Sequence, residues 1–312
     1  MRLEILISRK RLRKADHWGD RRVASGVEYS WSKRAGRSLL SIGISLFLLF
    51  AVAVPGSADD DPADEDPPLD PRFGLVETYH QPDAADNLGV SWSRLLFYWS
   101  ELQPEGPDSW NEFHAPLAWI DREIEAGRTV VGLLKSTPDW ATEGSAYVGV
   151  PEGLYLPVDD PDNLWATFVR DVVTRYEGKV QHWIVWNEPD ISSDAYGYQW
   201  EGSPQDYYQL LKVTYLVAKE IDPQITIHLA AMTYWHDPDY LDQVLTAAEQ
   251  DPTAPENGYY FDVASLHIYF RPETTLFIVE ETREQLATHG LGDKAIWINE
   301  TNAPPFDDPD QP

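Results

Sequence analysis

Two glutamates stand where an apolar run of residues ends, and each is preceded by asparagine. Glu188 closes the run VQHWIVWNE, and Glu300 closes the run KAIWINE. Two carboxyl groups about 5 Å apart can cleave a glycosidic bond with retention of configuration, because one protonates the leaving oxygen and the other attacks the anomeric carbon. The two glutamates are therefore candidates for this chemistry if the fold brings them together.

The apolar runs themselves have the character of buried parallel strands, which are continuous rather than alternating. We predict strands at 73–79, 91–98, 129–135, 180–187, 225–233, 261–269 and 294–300. Helical patterns lie between them, most clearly in 163–177, where apolar residues recur at i, i+4. Ser203-Pro204 and Asp237-Pro238 are typical of an N-cap followed by proline at the first helical position.

This alternation predicts an α/β fold with a parallel sheet, namely a (β/α)8 TIM-type barrel. Side chains that do chemistry in such a barrel lie at the carboxyl ends of the strands. Glu188 and Glu300 are 112 residues apart. This separation fits three βα units, since a barrel of ~250 residues has about 31 residues per unit.

The W-N-E-P run at 186–189 and the strand-end Glu300 resemble the clan A glycoside hydrolases, which include the cellulase-like family 5 and the xylosidase-like family 39. The resemblance covers about residues 73–303. It implies that Glu188, after strand four, is the acid/base and that Glu300, after strand seven, is the nucleophile. It also implies a carbohydrate substrate, retention, and neither metal nor organic cofactor.

The same resemblance implies roles for residues around the pair. Arg94 would hold the nucleophile carboxylate and keep it ionised, Asn187 would bind the sugar 2-hydroxyl, and the His267-Ile-Tyr269 run would border the sugar and donate to the nucleophile. Trp140, in TPDWA, is similar to a sugar-stacking residue.

Among the 13 tryptophans, those near strand ends are further candidates for sugar contact, namely Trp99, Trp186 and Trp235. Trp165, Trp183 and His228 lie within apolar patterns and are expected in the core. The side chains named for the site also have purely structural interpretations, such as a cap, a core ion pair or a satisfied buried hydrogen bond.

The first 72 residues are read as targeting and linker segments. Residues 1–58 combine a basic stretch with the 16-residue apolar run 39–54, which fits a signal peptide or a signal anchor better than a full membrane span. Residues 59–72 are acidic and proline-rich, as in an extended linker. We expect a secreted or cell-surface protein, touching a membrane only through 39–54 if that run is not cleaved.

Charge narrows the possible partners. Residues 38–312 hold 13 basic and 48 acidic residues, a formal charge of −35. Such a surface repels nucleic acid, so we expect a neutral, hydroxyl-rich partner and no nucleic acid or protein partner. The chain has no cysteine, which excludes disulfides and cysteine-ligated metals.

Some features depart from the resemblance. Lys135-Ser136 stands after strand three, where family 5 enzymes carry histidine. Only 12 residues, four of them proline, follow Glu300, so we expect the domain at 73–312 to lack its eighth βα unit and to be C-terminally incomplete. The alternative to an enzyme is accordingly a non-catalytic carbohydrate-binding or surface protein on a degenerate barrel.

Overall fold

The computed structural model describes residues 70–192, 197–269 and 272–302. The predicted signal segment and most of the predicted linker lie outside these ranges. Seven strands are described: β1 Asp70–Val76, β2 Val90–Tyr98, β3 Thr129–Lys135, β4 Val180–Asn187, β5 Thr226–Met232, β6 Val263–Tyr269 and β7 Ala295–Asn302.

Helices connect the strands in the order expected for βα units. They are α1 Pro82–Leu88, α2 Trp99–Leu102, α3 Leu117–Glu125, α4 Leu164–Arg175, α5 Pro204–Ile221, α6 Tyr240–Glu249 and α7 Thr275–Thr288, with short 3-10 turns at Thr78–His80, Asp139–Ala141, Pro255–Tyr260 and Pro272–Thr274. None of the helices in the described ranges is long and apolar enough to span a membrane.

The strands form one sheet in sequence order, and every neighbouring pair is parallel. β1 and β7 are the two edges of this sheet, and a cleft of about 470 Å³ lined by residues of both strands lies between them. The described residues thus form seven of the eight βα units of a TIM-type barrel, as the sequence predicts. Parallel strands place all their carboxyl ends at one rim, which is where the barrel must carry a site.

Apolar side chains occupy both faces of the sheet. The larger cluster lies between the sheet and the helices and includes Trp165, Phe168 and Trp183, each fully buried. A smaller cluster on the inner face joins Val131, Leu133 and Ile184 with Trp92, Leu96 and Trp297. The second cluster packs inside the barrel, beneath the rim.

All seven predicted strands are observed, with ends shifted by at most three residues. The capped helix start at Ser203 is also confirmed, because Ser203 and Asp206 form a reciprocal capping box. The predicted start at Asp237-Pro238 is wrong by two residues. The carboxylate of Asp237 accepts the backbone N–H of Asp239 in a turn, and the helix begins only at Tyr240.

A pair of histidines lies low in the barrel interior. Nδ1 of His182 and Nε2 of His228 are 3.0 Å apart, and His228 also lies 3.3 Å from the Ser265 hydroxyl, while both rings pack on Trp297. The prediction that His228 is a satisfied core residue is confirmed. Burial, and next the neighbouring His182, lower the pKa of His228 to about 3, and burial also lowers the pKa of His182.

This pair should make the fold sensitive to acid. The pKa of His228 is below the unfolded value near 6.5, so the stability it contributes is present above about pH 6.5 and is lost as the pH falls towards 3. One such group contributes a slope of about 1.4 kcal/mol per pH unit in that window. We expect His228→Gln to flatten the fall in unfolding free energy between pH 6 and 4, measured by urea titration. The exposed control His80→Gln should keep the wild-type slope, and an unchanged slope for His228→Gln would contradict this explanation.

Candidate active site

Glu188 reaches the rim because the backbone of β4 breaks its alternation just before it. His182 and Ile184 point into the barrel, and strict alternation would send Trp186 the same way. Instead Trp186 has a left-handed backbone (φ 75°), and its fully buried indole packs outward against Trp165 and Trp200. Glu188, itself left-handed (φ 49°), then presents its carboxylate at the mouth.

Glu300 lies near the end of β7 and is held from across the barrel. The guanidinium of Arg94, on β2, forms an ion pair with Glu300 Oε1. Arg94 is 1% exposed, whereas the Glu300 side chain keeps 19% of its surface accessible. A fixed, buried cation therefore holds one oxygen of a carboxylate whose other side faces the mouth.

His267 joins the two carboxylates. Its Nδ1 lies 2.7 Å from Glu188 Oε1 and 3.1 Å from Glu300 Oε2, and its Nε2 lies 3.3 Å from a terminal nitrogen of Arg94. A guanidinium can only donate, so Nε2 accepts from Arg94 and the imidazole proton belongs on Nδ1. With that tautomer, the Nδ1–H of His267 donates towards both glutamates.

These contacts settle the ionisation of Glu300. Burial alone would raise the pKa of its carboxyl, but His267 and Arg94, together with the hydrogen bond from Tyr269, outweigh burial and hold the pKa below its usual value. The same arrangement raises the pKa of Tyr269, through burial first and then its hydrogen bond to Glu300. Glu300 is thus an anion at neutral pH, and Tyr269 is a neutral donor.

The spacing of the two carboxylates is the most informative distance. One oxygen of Glu188 and one of Glu300 lie within 4.8 Å of each other, together with a ring nitrogen of His267. Such a trio could hold a divalent metal ion. However, the buried guanidinium of Arg94 contacts both Glu300 and His267, and its fixed positive charge opposes a cation at this place.

The structure thus brings Arg94, Glu188, His267, Tyr269 and Glu300 together, as predicted. Asn187 ends β4 beside Glu188, with a partly buried side chain. Glu188, Arg94 and His267 come from β4, β2 and β6, so their proximity depends on the barrel and not on any local segment.

The tryptophans expected to contact sugar differ from one another in burial. Trp99 is fully buried, stacks on Phe168 and donates to Gln103, so that prediction is wrong; the residue directly after β2 turns back into the helix layer. Trp186 is likewise a core residue. Trp140 is partly buried and donates its N–H to the Gln103 carbonyl. Trp235 is 50% exposed and stacks near Phe277.

Two rim residues were not among the predicted site residues. Lys135 ends β3, Tyr98 ends β2, and the two are register partners, so they share the inward face with Arg94. Their position at the carboxyl ends of predicted strands was a sufficient signal for both. The resemblance assigns no role to Tyr98, and it involves Lys135 only as a departure from family 5.

Comparisons with solved structures agree on the architecture. A family 39 β-xylosidase from Caulobacter crescentus is 19% identical with a TM-score of 0.53, over 75% of this chain and 55% of that one. A glucosidase from Croceicoccus marinus is 16% identical with a TM-score of 0.52, over 69% of this chain and 46% of that one. The matched region thus spans about half the length of these structures.

At such identities the likeness concerns the fold alone. It confirms the fold that the sequence resemblance implied, a TIM-type barrel like those of clan A glycoside hydrolases. Neither the protein-family models nor the curated proteins compared with this chain give a match.

Asp190, two residues after Glu188, secures the loop that carries it. The carboxylate is 1% exposed; its Oδ2 accepts from the backbone N–H and the hydroxyl of Thr233, which follows β5, while Oδ1 has no hydrogen-bond partner among the described residues. Burial raises the pKa of Asp190 to about 6, although the bonds from Thr233 act in the opposite direction.

We therefore expect Asp190→Asn to change the pH dependence of stability in a defined direction. The raised pKa means that Asp190 favours the fold below about pH 4 and that this contribution is lost as the pH rises through 6. Asparagine keeps the acceptor oxygen without ionising. The difference in unfolding free energy between the variant and the wild type should therefore rise by about 2 kcal/mol from pH 4 to pH 7. For the exposed control Asp159→Asn, this difference should stay constant. A relative loss in that interval would refute the argument.

Proposed function

We propose that this protein is an exported retaining glycoside hydrolase that cleaves β-linked O-glycosides by double displacement. The observation that carries the proposal is that one carboxylate oxygen of Glu188 and one of Glu300 lie within 4.8 Å of each other at the barrel mouth. Retaining enzymes need carboxyl groups about 5–5.5 Å apart, whereas inverting enzymes need about 6.5–9.5 Å to admit a water molecule. Export rests on the apolar run at 39–54, which lies outside the described residues.

In the first step Glu188 acts as the acid and Glu300 as the nucleophile. The Glu188 proton passes to the glycosidic oxygen while a Glu300 oxygen attacks the anomeric carbon, so the leaving group departs as an alcohol and a glycosyl ester remains. In the second step the Glu188 carboxylate takes a proton from water, and the resulting hydroxide oxygen attacks the anomeric carbon and releases Glu300.

The surroundings of each glutamate suit its role. Arg94 and Tyr269 keep Glu300 ionised and oriented, as an attacking group requires. His267 donates to Oε1 of Glu188, which leaves Oε2 to carry the proton that the leaving group receives. The carboxylates are not ordinary surface acids, since their side chains are only 18% and 19% exposed.

Replacing either glutamate should abolish most hydrolysis, but in different ways. We expect Glu300→Gln to lose about 10³-fold or more on every substrate, because no glycosyl ester can form. Glu188→Ala should lose as much on natural glycans yet keep a larger fraction of the glycosylation rate on a 2,4-dinitrophenyl glycoside, whose leaving group needs little protonation. Stopped-flow release of dinitrophenolate measures this.

The control for this pair is Glu101→Gln, an exposed glutamate on α2 that should keep full activity. Circular dichroism must show that all three variants remain folded. Near-wild-type turnover by both site variants would contradict the assignment. A folded wild-type protein that binds glycans without cleaving them would instead favour the non-catalytic carbohydrate-binding alternative.

A further inference from the structure

The ammonium group of Lys135 lies at the rim and forms no ion pair with any residue that the structure describes. When the proposed first step is about to begin, Glu188 holds its proton and Glu300 is ion-paired with Arg94, so neither glutamate is available to neutralise Lys135. This reasoning rests on the proposed function, because it assumes that Glu188 acts as the acid.

Lys135 is fixed in place rather than free on the surface. It is the last residue of β3, its ammonium lies 5.8 Å from the ring centroid of Tyr98, and its nearest polar partner is the side-chain oxygen of Gln199 at 3.4 Å. Burial lowers the pKa of Lys135, while Glu188 and Glu300 act in the opposite direction, so the group lies within electrostatic reach of both.

No carboxylate in the described part of the chain lies within ion-pair distance of this ammonium. The acids that act on it electrostatically are Glu188 and Glu300, and Glu300 is ion-paired with Arg94. A partly buried ammonium without a counter-ion is costly, and an anion supplied by a ligand would offset that cost.

We propose that Lys135 recognises an anionic group of the substrate, and that this site therefore takes a glycoside of a uronic acid. The carboxylate of the reacting sugar ring would accept a charge-assisted hydrogen bond from the ammonium, with the phenol of the neighbouring Tyr98 as a second donor. Lys135 is then a specificity-determining residue and not part of the bond-breaking pair.

The large negative net charge of the protein makes a positive group at the binding site more necessary for an anionic substrate. Residues 38–312 carry a formal charge of −35, which repels an anionic sugar at long range. Short-range binding of such a sugar thus requires a local positive group that is not already neutralised. Arg94 is committed to Glu300, whereas Lys135 forms no ion pair among the described residues.

The test compares hydrolysis of aryl β-D-glucuronide with that of aryl β-D-glucoside and aryl β-D-xyloside. We expect the wild type to favour the glucuronide in kcat/KM, and Lys135→Gln to lower the glucuronide-to-glucoside ratio of kcat/KM by about 30-fold or more, as expected for loss of a desolvated charge pair. Lys179→Gln, which removes a lysine paired with Asp121 far from the mouth, should keep the wild-type ratio.

A binding measurement distinguishes failure of this inference from failure of the proposed function. Calorimetry should show D-glucuronate binding more tightly than D-glucose to the wild type, and Lys135→Gln should lose that preference. If neutral glycosides are hydrolysed while the glucuronide is not, or if the ratio is unchanged in Lys135→Gln, the inference is overturned and the proposed function stands. If nothing is hydrolysed, the proposed function fails, and calorimetry alone decides whether Lys135 binds the anion.

Discussion

The ion pair between Arg94 and Glu300 is the interaction on which the site depends. It spans from β2 to β7, strands that are far apart along the sheet, and its cation is buried. Without a counter-charge, a buried guanidinium would be strongly unfavourable. Without the guanidinium, the repulsion between Glu300 and Glu188 would oppose ionisation of both carboxyl groups at this short distance. The pair thus connects β7 to β2 across the barrel and, with His267 and Tyr269, keeps Glu300 ionised.

The second constraint is backbone strain at the rim. Residues with left-handed backbone follow or end four strands, namely Glu77, Ser136, Trp186, Glu188 and Tyr234. Each such non-glycine residue costs about 1 kcal/mol or more. The left-handed backbone turns the chain sharply where the strands end. At Trp186 it directs the indole into the core, while Glu188, two residues later, lies at the rim. The well-packed inner cluster beneath the rim offsets this cost.

Much of this arrangement follows from the sequence. Continuous apolar runs identify all seven strands, and the position of Glu188 and Glu300 after such runs identifies the rim. Arg94, His267 and Tyr269 could be named because the resemblance to clan A glycoside hydrolases implies roles for them. The burial of Trp99 and Trp186 could not be predicted. Trp186 points outward because of one left-handed backbone dihedral, and Trp99 begins the helix α2 directly after β2; no periodicity encodes either.

The sequence is also silent on which charges neutralise each other. Lys135 is visible as a strand-end residue, but only the assembled barrel shows that Arg94 is held by Glu300 and that Lys135 forms no ion pair within the described ranges. Similarly, the single contact of His267 with both glutamates requires three strands in register. These are properties of the assembled barrel, and they decide the proposed chemistry.

The most direct measurement is mass spectrometry of the protein after incubation with 2,4-dinitrophenyl 2-deoxy-2-fluoro-β-glycosides. The fluorine slows the second displacement, so the glycosyl ester of the first displacement should accumulate. The account predicts a single added sugar, mapped by peptide sequencing to Glu300, and no label in Glu300→Gln. A label on Glu188, or steady hydrolysis of the matching unfluorinated glycoside with no labelled intermediate, would contradict it.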